Sequence, residues 1–141
     1  MSQNFNILVT GGAGFIGSAL SRYLIENTNH QVIILDKLTY ASNIDSISSI
    51  KNKKKVHFYH GCIGDVKLVD DILNKYKPMH IYNLAAETHV DNSIKNPFAF
   101  IQTNVVDTHK FLHNTLKYFQ ELSKSVSKFL KFFQISTDEV Y

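Results

Sequence analysis

At 141 residues, with 44% apolar and 19% charged side chains, the chain has the length and composition of one folded domain, which argues against wholesale disorder. Its formal charge of +3 is mild, and much of it sits in Lys51, Lys53, Lys54 and Lys55, a cluster without aromatic or arginine neighbours. That cluster reads as a solvated connection, and no nucleic-acid partner is expected. A single cysteine, Cys62, excludes an internal disulfide; no run approaches the ~18 apolar residues of a membrane span, and the N-terminus lacks a signal-peptide pattern. A cytoplasmic protein without a membrane partner is the expectation.

The apolar run Ile7 to Thr10 leads into Gly11-Gly12-Ala13-Gly14-Phe15-Ile16-Gly17, with Gly11, Gly14 and Gly17 at regular spacing. A buried strand, a glycine turn and then a helix is the context that turns a glycine pattern into a dinucleotide-binding expectation. One glycine makes the tight turn, another lets backbone N–H groups approach a pyrophosphate, and the last lets helix and strand close on each other. The helix is expected from Phe15 to about Asn27, with Ile16, Leu20, Leu24 and Ile25 as the stripe laid on a sheet. A second strand, Gln31 to Asp36, puts an acid at its tip about 20 residues past the last glycine. That is where the adenosine ribose hydroxyls of NAD are held, and an acid there repels the 2′-phosphate of NADP. The bland alternative is a glycine-rich turn in an unrelated α/β protein.

Asn43 to Ile50 reads as a short helix with Ile44, Ile47 and Ile50 inward, and Lys51 to Lys55 as a connector. Val56 to His60 is a third strand running into the loop Gly61 to Asp65. Val66 to Tyr76 places Val66, Val69, Ile72 and Leu73 on one helical face and stops before Pro78. His80 to Ala86 is a fourth strand ending in small residues. Asn96-Pro97 resembles a helix start, and the helix is expected to run to about Leu122 with Ile101, Val105, Leu112, Leu116 and Phe119 near one face. Ser123 to Lys128 is a polar connector, and Phe129 to Ser136 a fifth strand. The alternation predicts an α/β, doubly wound, Rossmann-like parallel sheet of about five strands in the order 3-2-1-4-5, with ligands beyond the carboxyl ends of strands 1 and 4. His109 and His113 have a spacing that suits a metal, but no third ligand accompanies them, so no metal site is expected.

Several motifs carry a resemblance. They are Val9-Thr10-Gly11-Gly12-Ala13-Gly14-Phe15-Ile16-Gly17-Ser18, Asp36-Lys37-Leu38-Thr39-Tyr40, Gly64-Asp65-Val66, Leu84-Ala85-Ala86-Glu87-Thr88-His89-Val90-Asp91, Thr103-Asn104 and Ile135-Ser136-Thr137-Asp138-Glu139-Val140-Tyr141. In this order the chain resembles the N-terminal part of the extended short-chain dehydrogenase/reductase family, in its nucleotide-sugar 4,6-dehydratase branch. The resemblance implies NAD as cofactor, with Gly11, Gly14, Gly17 and the backbone of Phe15 and Ile16 at the pyrophosphate. It implies Asp36, Lys37, Leu38 and Thr39 at the ribose, Asp65 and Val66 at the adenine, and Leu84, Ala85, Ala86, Thr88 and Thr103 on the nicotinamide side. Thr88 and Thr137 would touch the hexose, with Glu139 as base and Asp138 as acid, two neighbouring carboxyls whose opposite tasks need environments that separate them. A plain reading of Asp65 as the cap of the following helix stands beside its adenine role. His89, in the nicotinamide-side loop, is open to a substrate contact or to a structural hydrogen bond.

The substrate implied is a nucleotide sugar, dTDP-glucose, with UDP-glucose as the runner-up; full-length members are homodimers whose long helix joins a bundle. Ser42, Asn92 and Asp107 depart from the residues usual in the family. No tyrosine here has lysine four residues later, so the family's Tyr-x-x-x-Lys does not occur within these residues. Residues 1–141 are therefore expected to form an incomplete NAD-binding domain, truncated before the last strands and the substrate domain and unable to turn over alone. A non-catalytic NAD-binding or interaction module is the second expectation.

Overall fold

A computed structural model describes residues 4–136, the side chain of Val90 excepted. Five strands, β1 (Asn6–Thr10), β2 (Gln31–Asp36), β3 (Val56–His60), β4 (His80–Asn83) and β5 (Lys131–Gln134), form one parallel sheet in the order β3-β2-β1-β4-β5. The helices between them are α1 (Phe15–Asn27), α2 (Ser48–Lys51), which continues a 3-10 turn over Ile44–Ile47, α3 (Val66–Tyr76), α4 (Val90–Lys95), α5 (Pro97–Phe100), α6 (Thr108–Glu121) and α7 (Lys124–Ser127). Between α5 and α6 the chain stays helical, but Ile101–Asp107 is wound as a π-helix.

The central strands read as unbroken apolar runs because both faces of the sheet are covered. Side chains alternate across a strand, so Ile7, Val9, Val32 and Ile34 point to one face, where they pack with Leu24, Ile25, Ile47, Ile50 and Val56. Leu8, Ile33, Leu35 and Ile81 point to the other, against Val69, Ile72, Leu73, Phe111 and Tyr118. The registers Leu8 with Ile33 and Leu8 with Ile81 keep like with like across the sheet. A one-residue slip would exchange the two layers.

Several expectations need correction. Ile16 and Val66 do not join their helices' buried stripes; they are 60% and 45% exposed. The fourth strand ends at Asn83, not Ala86, the fifth spans only Lys131–Gln134, α4 was not foreseen, and the connector after Leu122 contains the single turn α7. The long helix was grouped into one apolar face without a side being assigned to it, and the structure assigns the side. Its face bearing Ile101, Val105, Leu112, Leu116 and Phe119 is turned outward, and the face on the sheet carries Thr103, Asp107, Phe111, Asn114, Thr115 and Tyr118. The polar members of that inner face are tied to backbone: Asn114 Nδ2 donates to the Val66 carbonyl at 3.1 Å and Thr115 Oγ1 to the Phe111 carbonyl at 2.9 Å. The π-turn shifts the helical phase that a constant 3.6-residue period assumes. No helix among the described residues is long and apolar enough to cross a membrane.

Tyr118, 4% exposed, donates its hydroxyl to the Pro78 carbonyl at 3.1 Å and pins α6 to the end of α3. Burial pushes its phenol from the ordinary value of 10 up to about 12. The folded state therefore favours the neutral ring, so this contribution to stability is complete below pH 10 and drains away between pH 10 and about 12. Tyr118→Phe is expected to cost about 1 kcal/mol at neutral pH through the lost hydrogen bond and to flatten that alkaline decline. Urea midpoints measured across the alkaline range for both proteins check it, and parallel curves would refute the assignment.

Candidate functional site

The turn after β1 is set by contacts a side chain would forbid. Gly11 has φ +65°, and a Cβ there would lie 2.7 Å from the Leu84 carbonyl carbon and oxygen. Its N–H donates to the Leu35 carbonyl at 2.9 Å, which seats the turn at the carboxyl end of β2. At the start of α1, a Cβ on Gly17 would lie 2.1 Å from the Gly11 carbonyl oxygen, so helix and turn touch through backbone alone. Gly14 caps this helix without a side-chain hydrogen bond, and its first turn carries no acid. The N–H groups and the positive end of the helix dipole are thus left to an anion.

Asp36 stands beside this turn, 5% exposed at the tip of β2. Its Oδ2 accepts from the Ala13 N–H and its Oδ1 from the Leu38 N–H, both at 2.8 Å. The carboxylate therefore locks the glycine turn to the chain leaving β2. Each oxygen retains lone-pair capacity for a hydroxyl donor. Leu38 takes φ +53°, a left-handed conformation uncommon for a residue with a Cβ, and it is held there by the bond to Asp36.

A cavity of about 680 Å³ opens at the carboxyl ends of the strands, within the ~300–1,000 Å³ range of small-molecule sites. It sits where the strand order reverses, which is where α/β sheets of this kind bind ligands. Gly11, Gly14, Ile16, Gly17 and Asp36 line it from one side, Leu84, Ala85, Ala86 and Thr88 from the other, and Thr103 of the π-helix from a third. Lys37 and Thr39 line it as well. A π-turn kept open at such a place is a common mark of a functional wall; here Thr108 Oγ1 bonds the Thr103 carbonyl at 3.1 Å across it.

Four residues singled out in the sequence are described but do not line the cavity: Phe15, Leu38, Asp65 and Val66. Phe15 is 92% exposed, so only its backbone faces the anion-binding end. Asp65 Oδ1 accepts from the Leu68 N–H at 3.0 Å, which makes it the cap of α3. The wall beyond β3 is formed instead by Gly61, Cys62 and Ile63. Thr137, Asp138 and Glu139 lie outside the described residues.

Cys62 reaches behind this wall. Its thiol donates to Asp107 Oδ2 and accepts from the Gly64 N–H, each at 3.3 Å, while Asp107 Oδ1 accepts from Gln102 Nε2 at 2.8 Å. Burial pushes the Cys62 thiol up, and the hydrogen bond to the neighbouring carboxylate adds to that. A protonated, unreactive thiol is the consequence. Asp107 is 4% exposed and occupies the space beside Gly64, where a Cβ would meet its Oδ1 at 2.2 Å.

Other polar residues around the site were given no role by the sequence. Thr10 Oγ1 donates to Asn83 Oδ1, and Asn83 Nδ2 donates to Gln134 Oε1 at 2.8 Å, a polar ladder across the ends of β1, β4 and β5. Asn104 grips the main chain of Glu87 at both ends: the Glu87 N–H donates to Asn104 Oδ1 at 2.8 Å, and Asn104 Nδ2 donates to the Glu87 carbonyl at 2.9 Å. Polar residues at the ends of buried strands were the available signal. The His89 ring lies tilted against Tyr40, with ring centroids 5.6 Å apart. His109 and His113 stack with centroids 6.5 Å apart, and among the described residues no group of three His, Cys, Asp or Glu is placed to hold a metal.

Comparison with known proteins places this geometry. The sequence model for GDP-mannose 4,6 dehydratase matches residues 8–141. The dTDP-glucose 4,6-dehydratase of Salmonella typhimurium is 47% identical over 135 residues, covering 96% of this chain and 37% of that protein. The enzyme of the same description from Haemophilus influenzae is 45% identical over 136 residues, 96% of this chain and 40% of its own length. Among solved structures, Bacillus anthracis dTDP-glucose 4,6-dehydratase in complex with NAD superposes with a TM-score of 0.80 at 34% identity, covering 96% of this chain and 38% of that one. Thermotoga maritima UDP-glucose 4-epimerase with UDP-glucose gives 0.71 at 34% identity over 80% of this chain and 34% of that one. The chain thus spans well under half the length of these relatives.

Proposed function

The chain belongs to the GDP-mannose 4,6-dehydratase family, and from that we propose that it is the NAD-binding part of a nucleotide-sugar 4,6-dehydratase acting on dTDP-glucose. One observation carries the cofactor reading: the uncapped, acid-free start of α1 and the buried Asp36 carboxylate open into one cavity at the reversal point of the sheet. A dinucleotide's pyrophosphate suits the first and its ribose hydroxyls the second. When bound, NAD supplies a reversible hydride acceptor.

On this reading the N–H groups of the first turn of α1, from Phe15 to Gly17, hold the pyrophosphate, and Asp36 with Lys37 and Thr39 orients the adenosine ribose. Gly61, Cys62 and Ile63, which line the cavity beyond β3, join Asp65 and Val66 on the adenine side. Leu84, Ala85, Ala86, Thr88 and Thr103 shape the opposite end, and the two alanines leave room there. Glu139 is assigned the removal of the sugar's C5 proton and Asp138 the protonation of the departing C6 hydroxyl, with Thr137 at the hexose. The exposed face of α6 with Leu112, Leu116 and Phe119 suits the helix packing of a homodimer.

Titration of the chain with NADH, followed by its fluorescence, tests the core of the reading. Saturable one-site binding, competed by NAD far better than by NADP, is expected; no binding overturns it. Conversion of dTDP-glucose by these 141 residues alone would refute the expectation that the reaction needs a Tyr-x-x-x-Lys supplied from elsewhere.

A further inference from the structure

We infer that Tyr40 and Glu87 form a bridge across the cavity that governs how fast a bound dinucleotide leaves. The inference rests on the NAD reading above, and it assigns a role to two side chains that neither the glycine turn nor the acid at β2 accounts for.

Tyr40 donates its hydroxyl to Glu87 Oε2 at 3.0 Å. The residues on either side of Tyr40, Thr39 and Ala41, line the cavity, as do Glu87 itself and its neighbours Ala86 and Thr88. The hydrogen bond therefore joins the wall that follows β2 to the wall that follows β4. Tyr40 is 60% exposed, which puts the link on the solvent side of the space it spans. The ring contact with His89 adds a second touch between the same two loops.

Both ends are anchored without the bridge. The loop carrying Tyr40 is fixed on one side by left-handed Leu38, whose N–H is held by Asp36. On the other side it is fixed by Ser42, paired with Gly14, and by the Asn43 N–H, which donates to the Ala13 carbonyl at 3.1 Å. Glu87 is gripped through its main chain by Asn104. Neither loop needs the phenol to hold its place, and an exposed hydrogen bond adds little to folding stability. A strained residue kept by over-determined surroundings points to function rather than to packing. At Leu38 the strain turns the chain so that Tyr40 reaches the opposite wall. What the bridge changes is the exit: the two walls have to part, and this bond has to break, before a ligand between them is released.

Stopped-flow displacement of NADH by excess NAD measures this directly. Tyr40→Phe, which removes only the hydroxyl, and Glu87→Ala are each expected to raise the dissociation rate roughly 3- to 10-fold, the size of one exposed hydrogen bond. Glu87→Gln keeps an acceptor oxygen and is expected to release NADH at close to the parental rate. The double variant Tyr40→Phe with Glu87→Ala should be no faster than either single change. Unchanged dissociation in both single variants overturns the bridge while leaving the NAD reading intact. A fall in the unfolding midpoint that tracks the faster release also overturns it, since the pair would then be structural. Failure of the unsubstituted chain to bind NADH overturns the bridge and the cofactor reading together.

Discussion

Gly17→Ala is expected to destabilise the chain by about 2 kcal/mol and to weaken NADH binding at least 100-fold. Two effects oppose each other here. Alanine in a helix is better than glycine by about 1 kcal/mol, so on propensity alone the change would stabilise α1. Against that, the added methyl carbon would lie 2.1 Å from the Gly11 carbonyl oxygen and 2.9 Å from the Gly12 Cα. No flexible side chain is available to yield. The Gly11 carbonyl already accepts the Gly14 N–H at 3.1 Å, and Gly11 itself abuts the backbone of Leu84 and Ala85. Overpacking against backbone reaches the upper end of its usual range, and it outweighs the gain in propensity. Relief requires α1 to move off the turn, which misaligns its first N–H groups. Urea unfolding and NADH titration of the same preparation check both halves. A more stable protein with intact binding would show that the contact is not the constraint argued here.

Asp36→Ala is expected to lower stability by about 2–4 kcal/mol and to erode the preference for NAD over NADP by tenfold or more. The first effect follows from two N–H groups, those of Ala13 and Leu38, which lose their acceptors in a nearly closed environment. The second follows from removing the negative charge that repels a 2′-phosphate. Asp36→Asn separates the two. It keeps one acceptor oxygen and removes the charge, so it should recover part of the stability while leaving the preference eroded. Binding constants for both dinucleotides, set beside unfolding midpoints, distinguish these outcomes. If Asp36→Asn retained full discrimination, charge would not be its basis.

Much of the scaffold was legible because its signals are local. The glycine turn, the acid at the tip of β2 and the order of the strands follow from spacing, from alternation and from the handedness of crossovers. Ile47 and Ile50 were placed inward correctly, and both are fully buried. What stayed open is what depends on a partner surface. The long helix carries two apolar faces, and periodicity cannot say which one the sheet takes; Phe111 and Tyr118 went inward, while Leu112, Leu116 and Phe119 did not. Asp65 has the residue type for a ligand contact and the position for a cap, and its bond to Leu68 is the one observed. The wall at Cys62 and Ile63, three and two positions upstream, carries no such polar flag. Tyr40 and Glu87 lie far apart in the chain, and only the assembled sheet brings their loops face to face.

The two layers that sandwich the sheet differ in how much chain each must gather. One layer draws its buried core, from Ile7 to Val56, entirely from the first three strands and the helices among them. The opposite layer also requires Phe111 and Tyr118. Short loop closures precede long ones when local contacts form first. On such a route the emerging chain can cover one side of its sheet before α6 exists, while the other side, covered in part by α3, is completed only when α6 docks. The cavity takes walls from the glycine turn and from the π-helix, and so it closes last.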